Sequence, residues 1–485
     1  MGKNMKHQVD LGYTRNLPLW TQIRAAIRGK QGAIELLESP NGYLGIVKPM
    51  YRVTIDNRDT VSKRELAYFA RGRFLNATGR THDAYVGMIG SAPVDVELPG
   101  TMEGLKGDVD GQRSTINDFA LEMCSEVLIT ARYGVLVDPP NLQGGTMAQA
   151  REALPKLIGY SAEQIKRHVM MNGQLQMVEL CESYTERKDE DYETKEQIRR
   201  LELIDGVYVS RIYRDSEIYS EDMAVINGSP LKYIPFQFCG AENNKPTYDR
   251  PVMFDLAHAN LGHFQLDCDN RENLHYHGQG MTNVFSDSDP EQMAEMNPGG
   301  IDVGAKGVNQ FGSSDRVEIL QIEATGAISA EMERDERRMI MLGAQVTQDS
   351  TTNQTLGAKE IDANASTSQL KRIANNVSAA LTQCIKWAAE MVGANPDDVK
   401  IYVNDRFITD NMTAQDVQAM FAMYQGGAAT LDELNEVKRK AGMTQKTNEE
   451  LAEALDDEAV VEGDTEEVAQ LKLQIEQLQG QLNGD

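Results

Sequence analysis

Residues 234–277 read IPFQFCGAENNKPTYDRPVMFDLAHANLGHFQLDCDNRENLHYH. An apolar strand carrying Pro235, Phe236 and Phe238 runs into a polar turn at Asn243 and Asn244. Pro251 then opens a segment whose apolar positions are Phe254, Ala257, Leu261, Phe264 and Cys268. They recur at three, four, three and four residues, which sets them on one narrow stripe of a helix packed lengthwise on a neighbour. The other positions are mostly Asn, Gln, Asp, Arg and His. The stripe therefore predicts a helix that stands beside copies of itself, not one that closes over a substrate.

Downstream, residues 278–326 are rich in Gly, Asp and Pro, with a short strand at Val317 to Ile322 and a solvated loop at Asp287 to Glu291. Residues 329–342 (SAEMERDERRMIML) read as a highly charged helix. Residues 343–357 (GAQVTQDSTTNQTLG) are polar with Asp349 as the single charge, the composition of an exposed loop. A long helix follows over 358–393, then a strand over 400–403 and two helices over 413–441. From 447 onward there are twelve Asp/Glu against one Lys, and Val468, Leu471, Ile475, Leu478 and Leu482 recur at three and four. This reads as an acidic linker with a short amphipathic helix, marginal unless partnered.

Upstream, the first 130 residues read as mainly helical. Residues 62–81 place Leu66, Phe69, Ala70, Phe74 and Ala77 on one side of a helix, and 117–131 place Phe119, Met123, Val127 and Ala131 inward. From 132 to 240 the period changes to two. Residues 134–138 form a short strand stopped by Pro139 and Pro140. Asp205-Gly206 joins two alternating runs as a tight hairpin, and residues 227–230 mark a further turn. The fold class is α+β, with the strands mostly antiparallel.

The chain has 485 residues, 41% hydrophobic and 25% charged, enough to bury a large core over several domains. No apolar run approaches the roughly 18 residues needed to cross a bilayer, and MGKNMKHQVD lacks a signal-peptide core, so the expectation is a cytoplasmic protein with no membrane partner. Cys124, Cys181, Cys239, Cys268 and Cys384 are far apart, which argues for buried free thiols. The formal net charge of −26 excludes a simple nucleic-acid binder, which would show a basic patch, but allows DNA to pass without being held.

Motifs for chemistry are sparse. There is no GxxxxGK[ST], no GxGxxG after a strand and no GxSxG. Asp108-Val-Asp110-Gly111 begins like a calcium loop, but the Gly comes early and the twelfth position is Phe119, so it reads as a turn. The strongest enzyme candidate is His258, His263, Asp267, Asp269, His275 and His277, residue types that ligate zinc or iron. Their spacing lacks HExxH, and His258 and His263 lie roughly 140° apart on a helix. The expectation is no metal, no cofactor and no catalytic residues, with a metal-dependent hydrolase as the minor alternative.

The run RPVMFDLAHANLGHFQLDCDNRENLHYHGQGMTNVF (250–285) resembles phage portal proteins, in the subset described only as a domain of unknown function. Phe254-Asp255-Leu256-Ala257-His258-Ala259-Asn260 and Leu274-His275-Tyr276-His277-Gly278 carry the match. RGRFLNATGRTHDAYVGMIG (71–90), DVDGQRSTINDFA (108–120) and GVLVDPP (134–140) support it upstream, and residues 343–390 downstream. It spans roughly residues 10–440. Met281 stands where members often have Pro, and the acidic tail matches no family pattern.

The resemblance implies a ring of about twelve chains, with a β-rich wing, helical stem and crown and a small α/β clip. By order it places a wing at 1–250, a first stem helix at 251–277 and a clip at 278–327. A second stem helix follows at 328–342, a tunnel loop at 343–357 and a channel helix with a return wing strand at 358–405. Crown helices take 406–446 and an acidic tail 447–485. The tunnel-loop residues Gln345, Thr347, Gln348, Asp349, Ser350, Thr351, Thr352, Asn353 and Gln354 would touch DNA weakly, and Lys359, Lys371 and Arg372 would graze it. Implied partners are double-stranded viral DNA, the terminase large subunit, a head–tail adaptor, the major capsid protein and a scaffolding protein, at the portal vertex of a virion. The alternative within this class is another non-enzymatic head–tail component.

Overall fold

In the computed structural model, Trp20 is 1% exposed and donates its indole N–H to Thr130 O at 3.0 Å. It locks helix α1 (Leu11–Ile27) against α4 (Ile116–Thr130). Between them lie α2 (Lys30–Glu38), α3 (Ala77–Ile89) and the short strand β1 (Asp95–Glu97). Arg24 of α1 reaches both Glu126 of α4 and Glu163, at 2.6 and 2.5 Å. Helix α4 starts at a capping box of Thr115 and Asp118 and stops where Ala131 turns to φ 56°. Phe119, Met123, Val127 and Ala131 are buried, as their spacing predicts.

The structure describes residues 9–38, 67–139, 154–188, 191–226, 229–277, 281–286, 289–297, 310–320, 326–343, 356–405, 407, 414–426, 430 and 434–435. These fall in two units, Met1–Asp405 and Arg406–Asp485.

The single helix expected over 62–81 is instead broken. Residues 67–71 are helical, 72–76 are not, and α3 begins at Ala77 with Asn76 as its N-cap. Ala70 faces solvent and Leu66 lies outside the described residues. The cause is tertiary: side chains of a later helix take the backbone groups of this stretch, as shown below.

The period-two region forms two antiparallel sheets. Strands β2 (Arg132–Asp138) and β3 (Lys156–Ser161) join β11 (Phe236–Gly240) in the order β11-β2-β3. A five-stranded meander runs β4 (Ile165–Met171), β5 (Gln174–Lys188), β6 (Asp191–Ile204), β7 (Val207–Arg214), β8 (Glu217–Met223). Asp205 and Gly206 take φ 51° and 78°, closing the β6–β7 hairpin as the sequence predicts. A two-residue pair, β9 (Val225–Ile226) with β10 (Ser229–Pro230), follows. Asn227 and Gly228, read as a turn, lie outside the described residues. Leu136, Tyr160, Val178, Leu180, Leu201, Phe236 and Phe238 share one core between the sheets.

Beyond β11 come α5 (Phe254–His277), β12 (Met281–Phe285), α6 (Pro290–Met296), β13 (Arg316–Leu320), α7 (Ala327–Met341) and α8 (Leu356–Val392). Strands β12 and β13 pair antiparallel. The run from Asp287 to Glu291 is not all loop: Asp289 stands at the N-cap position of α6 and Pro290 supplies its first residue, a position that suits a fixed φ and needs no N–H. Gly393 ends α8 at φ 75°. The chain then returns through β14 (Lys400–Tyr402), which pairs with β1. In the second unit, α9 (Ala414–Gln425) is the first of the two expected helices; most of the second and the acidic tail lie outside the described residues. Among the described residues no helix is long and apolar enough to cross a membrane.

Candidate functional site

The region singled out by sequence is a limb made of α5, the β12–β13 hairpin and α7, with the corner that leads into α8. Its stripe does not face outward. Ala257, Leu261, Phe264 and Cys268 are 0–2% exposed and pack with Ile23, Ala26, Tyr68, Phe69 and Met339 of the same chain, with Phe254 half-buried beside them. The helix read as standing beside copies of itself thus spends its apolar seam inside its own subunit. The reason is that α1, α2 and residues 67–71 supply an apolar surface that a one-dimensional pattern cannot show.

Polar side chains flank that seam and tie the limb down. Asn260 Oδ1 accepts from the amide and hydroxyl of Thr78, and Asn260 Nδ2 donates to Leu75 O at 2.7 Å. Asp267 accepts from the Arg73 amide at 2.5 Å and from Arg271 Nε at 2.8 Å. Tyr68 donates to Asp269 at 2.7 Å, and Arg71 pairs with Glu272. These bonds pull 72–76 out of helical geometry. Sequence reasoning missed Asn260 and Asp267 as anchors; their positions three residues after Ala257 and Phe264 were the available signal.

The His/Asp cluster is accordingly dispersed. His258 Nδ1 lies 3.2 Å from Gln22 Oε1, and His263 Nε2 lies 3.3 Å from Glu336 Oε1, linking α5 to α7. His275 is half-buried, and the side chain of His277 lies outside the description. Among the described residues no group of three or more His, Cys, Asp or Glu is placed to hold a metal ion.

At the corner, α7 ends at Met341, and two residues on Gly343 takes φ 86° and its carbonyl accepts from Tyr85 Oη at 3.3 Å. A cavity of about 70 Å³ lies here, lined by residues that include Tyr85, Met253, Leu256, Leu342 and Leu370. Gln345, Thr347, Gln348, Asp349, Ser350, Thr351, Thr352, Asn353 and Gln354 all lie outside the described residues. Lys359 falls within α8, with its side chain outside the description. Lys371 and Arg372 are exposed on α8, between buried Leu370 and Ile373.

Helix α8 is held to the opening stretch of sequence. Asn244 Nδ2 donates to Asn376 O at 2.8 Å, and Asn376 Nδ2 donates to Gly240 O at 2.9 Å. The Asn-Asn turn is therefore a strap that fixes α8 on the end of β11.

Two further constellations have chemical types without chemical arrangement. His82 Nε2 lies 3.0 Å from Ser125 Oγ and His82 Nδ1 lies 3.2 Å from Asp83 Oδ1, an order resembling a nucleophile–base–acid relay. Ser125 sits inside α4, whose own amides serve the helix and are not offered as oxyanion donors. In the Asp108 loop, Asp108 Oδ1 accepts from the Gly111 and Arg113 amides and Asp110 from the Gln112 and Ser114 amides. Its carboxylates close a turn, as the sequence reading has it.

A buried cation was not foreseen. Arg132 is 2% exposed, with its guanidinium 4.1 Å from the Tyr248 ring centroid and 4.7 Å from that of Phe238. It donates to Pro246 O and Thr247 O at 2.6 and 3.1 Å. Burial lowers its pKa, and its charge helps depress that of His168, 3.5 Å away.

Comparison with known proteins gives one family model, described as "Domain of unknown function (DUF4055)", matching residues 252–392. This run begins just before α5 and ends with α8. No curated protein matches the chain. Among solved structures, a chain from the virion of a native gene transfer agent particle is similar at 12% identity and a TM-score of 0.39, covering 84% of this chain and 98% of that one. A chain from the neck of the empty particle at C6 symmetry gives 12% and 0.41, covering 82% and 96%. One from the neck of the native particle at C12 symmetry gives 11% and 0.38, covering 80% and 96%. At such similarity neither fold nor function carries over.

Proposed function

We propose that this chain is a phage portal subunit, one of about twelve in a non-enzymatic ring that forms the DNA channel at one capsid vertex. The observation that carries the reading is the limb. The chain leaves its sheets through α5, reverses at a two-stranded hairpin, returns through α7 and re-enters the body along α8 to pair β14 with β1. A stem with a clip at its end requires this out-and-back path, and the order of residues resembling portal proteins follows it. The wing would comprise residues 1–250, the clip 278–327, the tunnel loop 343–357 and the crown 406–446. The net charge of −26 per chain suits a channel that lets DNA slide without an electrostatic well. Double-stranded DNA would occupy the channel, the terminase large subunit and later a head–tail adaptor would dock at the clip, and capsid and scaffolding proteins would surround the ring.

Negative-stain images and native mass measurement of the purified chain test this directly. Rings with a central hole are expected, at about twelve copies. A monomer that persists at high concentration would overturn the reading. Deleting residues 345–354 should leave rings intact and impair packaging or retention of DNA; loss of folding would remove the loop assignment.

A further inference from the structure

Helix α8 turns an acid-free face to solvent. Residues 363–389 contain no Asp or Glu, in a chain whose net charge is −26. Lys371, Arg372, Asn375 and Ala379 are exposed, and Lys386 is half-buried. At about 100° per residue, all five fall within one sector about 100° wide. Ile373, Val377, Leu381 and Cys384 lie on the opposite side and are buried in the body.

Lys245 extends this face. It is exposed and follows Asn244, whose side chain is tied to Asn376, one turn beyond Arg372. Among the described residues, the charged groups of Lys245, Lys371, Arg372 and Lys386 have neither an ion-pair nor a hydrogen-bond partner. Cations elsewhere in the body are spent within the chain: Arg24 on Glu126, Arg199 on Glu182, Arg200 on Glu179 and Arg211 on Glu221. Two acids border the face. Glu242 is exposed on the same strap as Lys245, and Glu390, one turn past Lys386, accepts from Tyr233 Oη at 2.7 Å.

We infer that this face of α8, together with Lys245, contacts the phosphates of duplex DNA. The inference deepens the portal reading, on which the choice of duplex DNA rests. From Lys371 to Lys386 the cations spread over about 22 Å at about 1.5 Å per residue, so they do not converge on a small anion but follow an extended one. Asn375 between them supplies an uncharged donor of the kind that binds phosphate oxygens. The face holds no aromatic side chain on which a base could stack, since Trp387 is turned to Tyr233 with ring centroids 5.5 Å apart, and this favours a duplex over a single strand. Four cations leave the chain acidic overall, so the attraction acts only within about 8 Å at physiological salt and holds DNA loosely.

The test is brief acetylation of lysines on the full chain, with and without a short DNA duplex at low salt, read by peptide mass analysis. The duplex should protect Lys245, Lys371 and Lys386 about threefold or more, while exposed Lys232 reacts unchanged. Equal labelling of all four with and without DNA overturns the contact. Protection that is complete in assembled protein before DNA is added assigns the face to a neighbouring copy, and overturns it too. In a second arm, Lys371→Gln, Arg372→Gln and Lys386→Gln together should weaken binding of a labelled duplex about tenfold or more and make it less salt-dependent. Unchanged binding by a variant with the parent's unfolding midpoint overturns the inference. Ring images of the same sample separate the two readings. Rings without lysine protection remove the DNA face and leave the portal reading in place, whereas protection without rings removes the portal reading and leaves the face.

Discussion

Asn260 of α5 and Thr78 of α3 are joined twice: the Thr78 amide and hydroxyl both donate to Asn260 Oδ1, at 3.0 and 2.9 Å. With its amide nitrogen on Leu75 O, one fully buried side chain satisfies the start of α3 and the end of the broken segment before it. Asn260→Ala leaves the Thr78 N–H and the Leu75 carbonyl without these partners in a dry site. A loss of about 3 kcal/mol is expected. It should be read as a lower unfolding midpoint, with hydrogen exchange rising first in residues 77–89.

Gly72 and Cys268 form a second test of the same junction. A Cβ on Gly72 would lie 2.3 Å from Cys268 Sγ and 3.0 Å from Phe264 Cε2. Gly72→Ala should cost about 1–3 kcal/mol by overpacking. Cys268→Ala alone opens a small void, so the two changes together should cost less than their sum in a double-mutant cycle of unfolding free energies.

Stability should depend on pH through His168. Burial and the nearby charge of Arg132 push its pKa down from 6.5 to about 4, against the opposing pull of Asp10. The unfolded chain takes up this proton as pH falls through about 6.5, while the folded chain resists until about 4. The contribution is thus fully present above pH 6.5 and is lost as pH falls toward 4, by about 3 kcal/mol in total. Urea titrations at pH 7, 5.5 and 4.5 should show the fall, and His168→Asn should flatten that part of the profile.

Thiol reactivity should divide the cysteines. Burial pushes Cys124 and Cys268 up to about 12 and raises Cys239 and Cys384 too. Cys181 is half-buried, and its pKa is raised chiefly by burial and then by Glu196. Iodoacetamide at pH 8 should therefore modify Cys181 first, with the other four reacting only on unfolding. Peptide mass analysis of briefly treated native protein checks this order.

Local rules account for much of the fold. The Asp205-Gly206 hairpin, α4 with its inward Phe119, Met123 and Val127, and the long α8 ending at Gly393 all follow from turn chemistry and periodicity. The start of α6 at Pro290 was visible in the residues as Asp-Pro but was hidden by the polar composition around it. The dispersal of His258, His263, Asp267 and Asp269 followed from spacing as an expectation, and their actual partners in α1, α7 and the broken segment could come only from the folded chain.

By itself the sequence determined most of the described helices and strands, the broken run at 67–81 and α6 excepted, because backbone dihedral preferences and side-chain periodicity are local properties. It also set the apolar stripe of α5. What the stripe touches was decided only in three dimensions. Asn260 and Asp267 compete for the backbone of residues 72–76 and break a helix that local propensity would continue, and in doing so bring Tyr68 and Phe69 against Leu261, Phe264 and Cys268. Hydrogen bonds between groups nearly two hundred residues apart outweigh the few tenths of a kcal/mol per residue by which helix propensity differs.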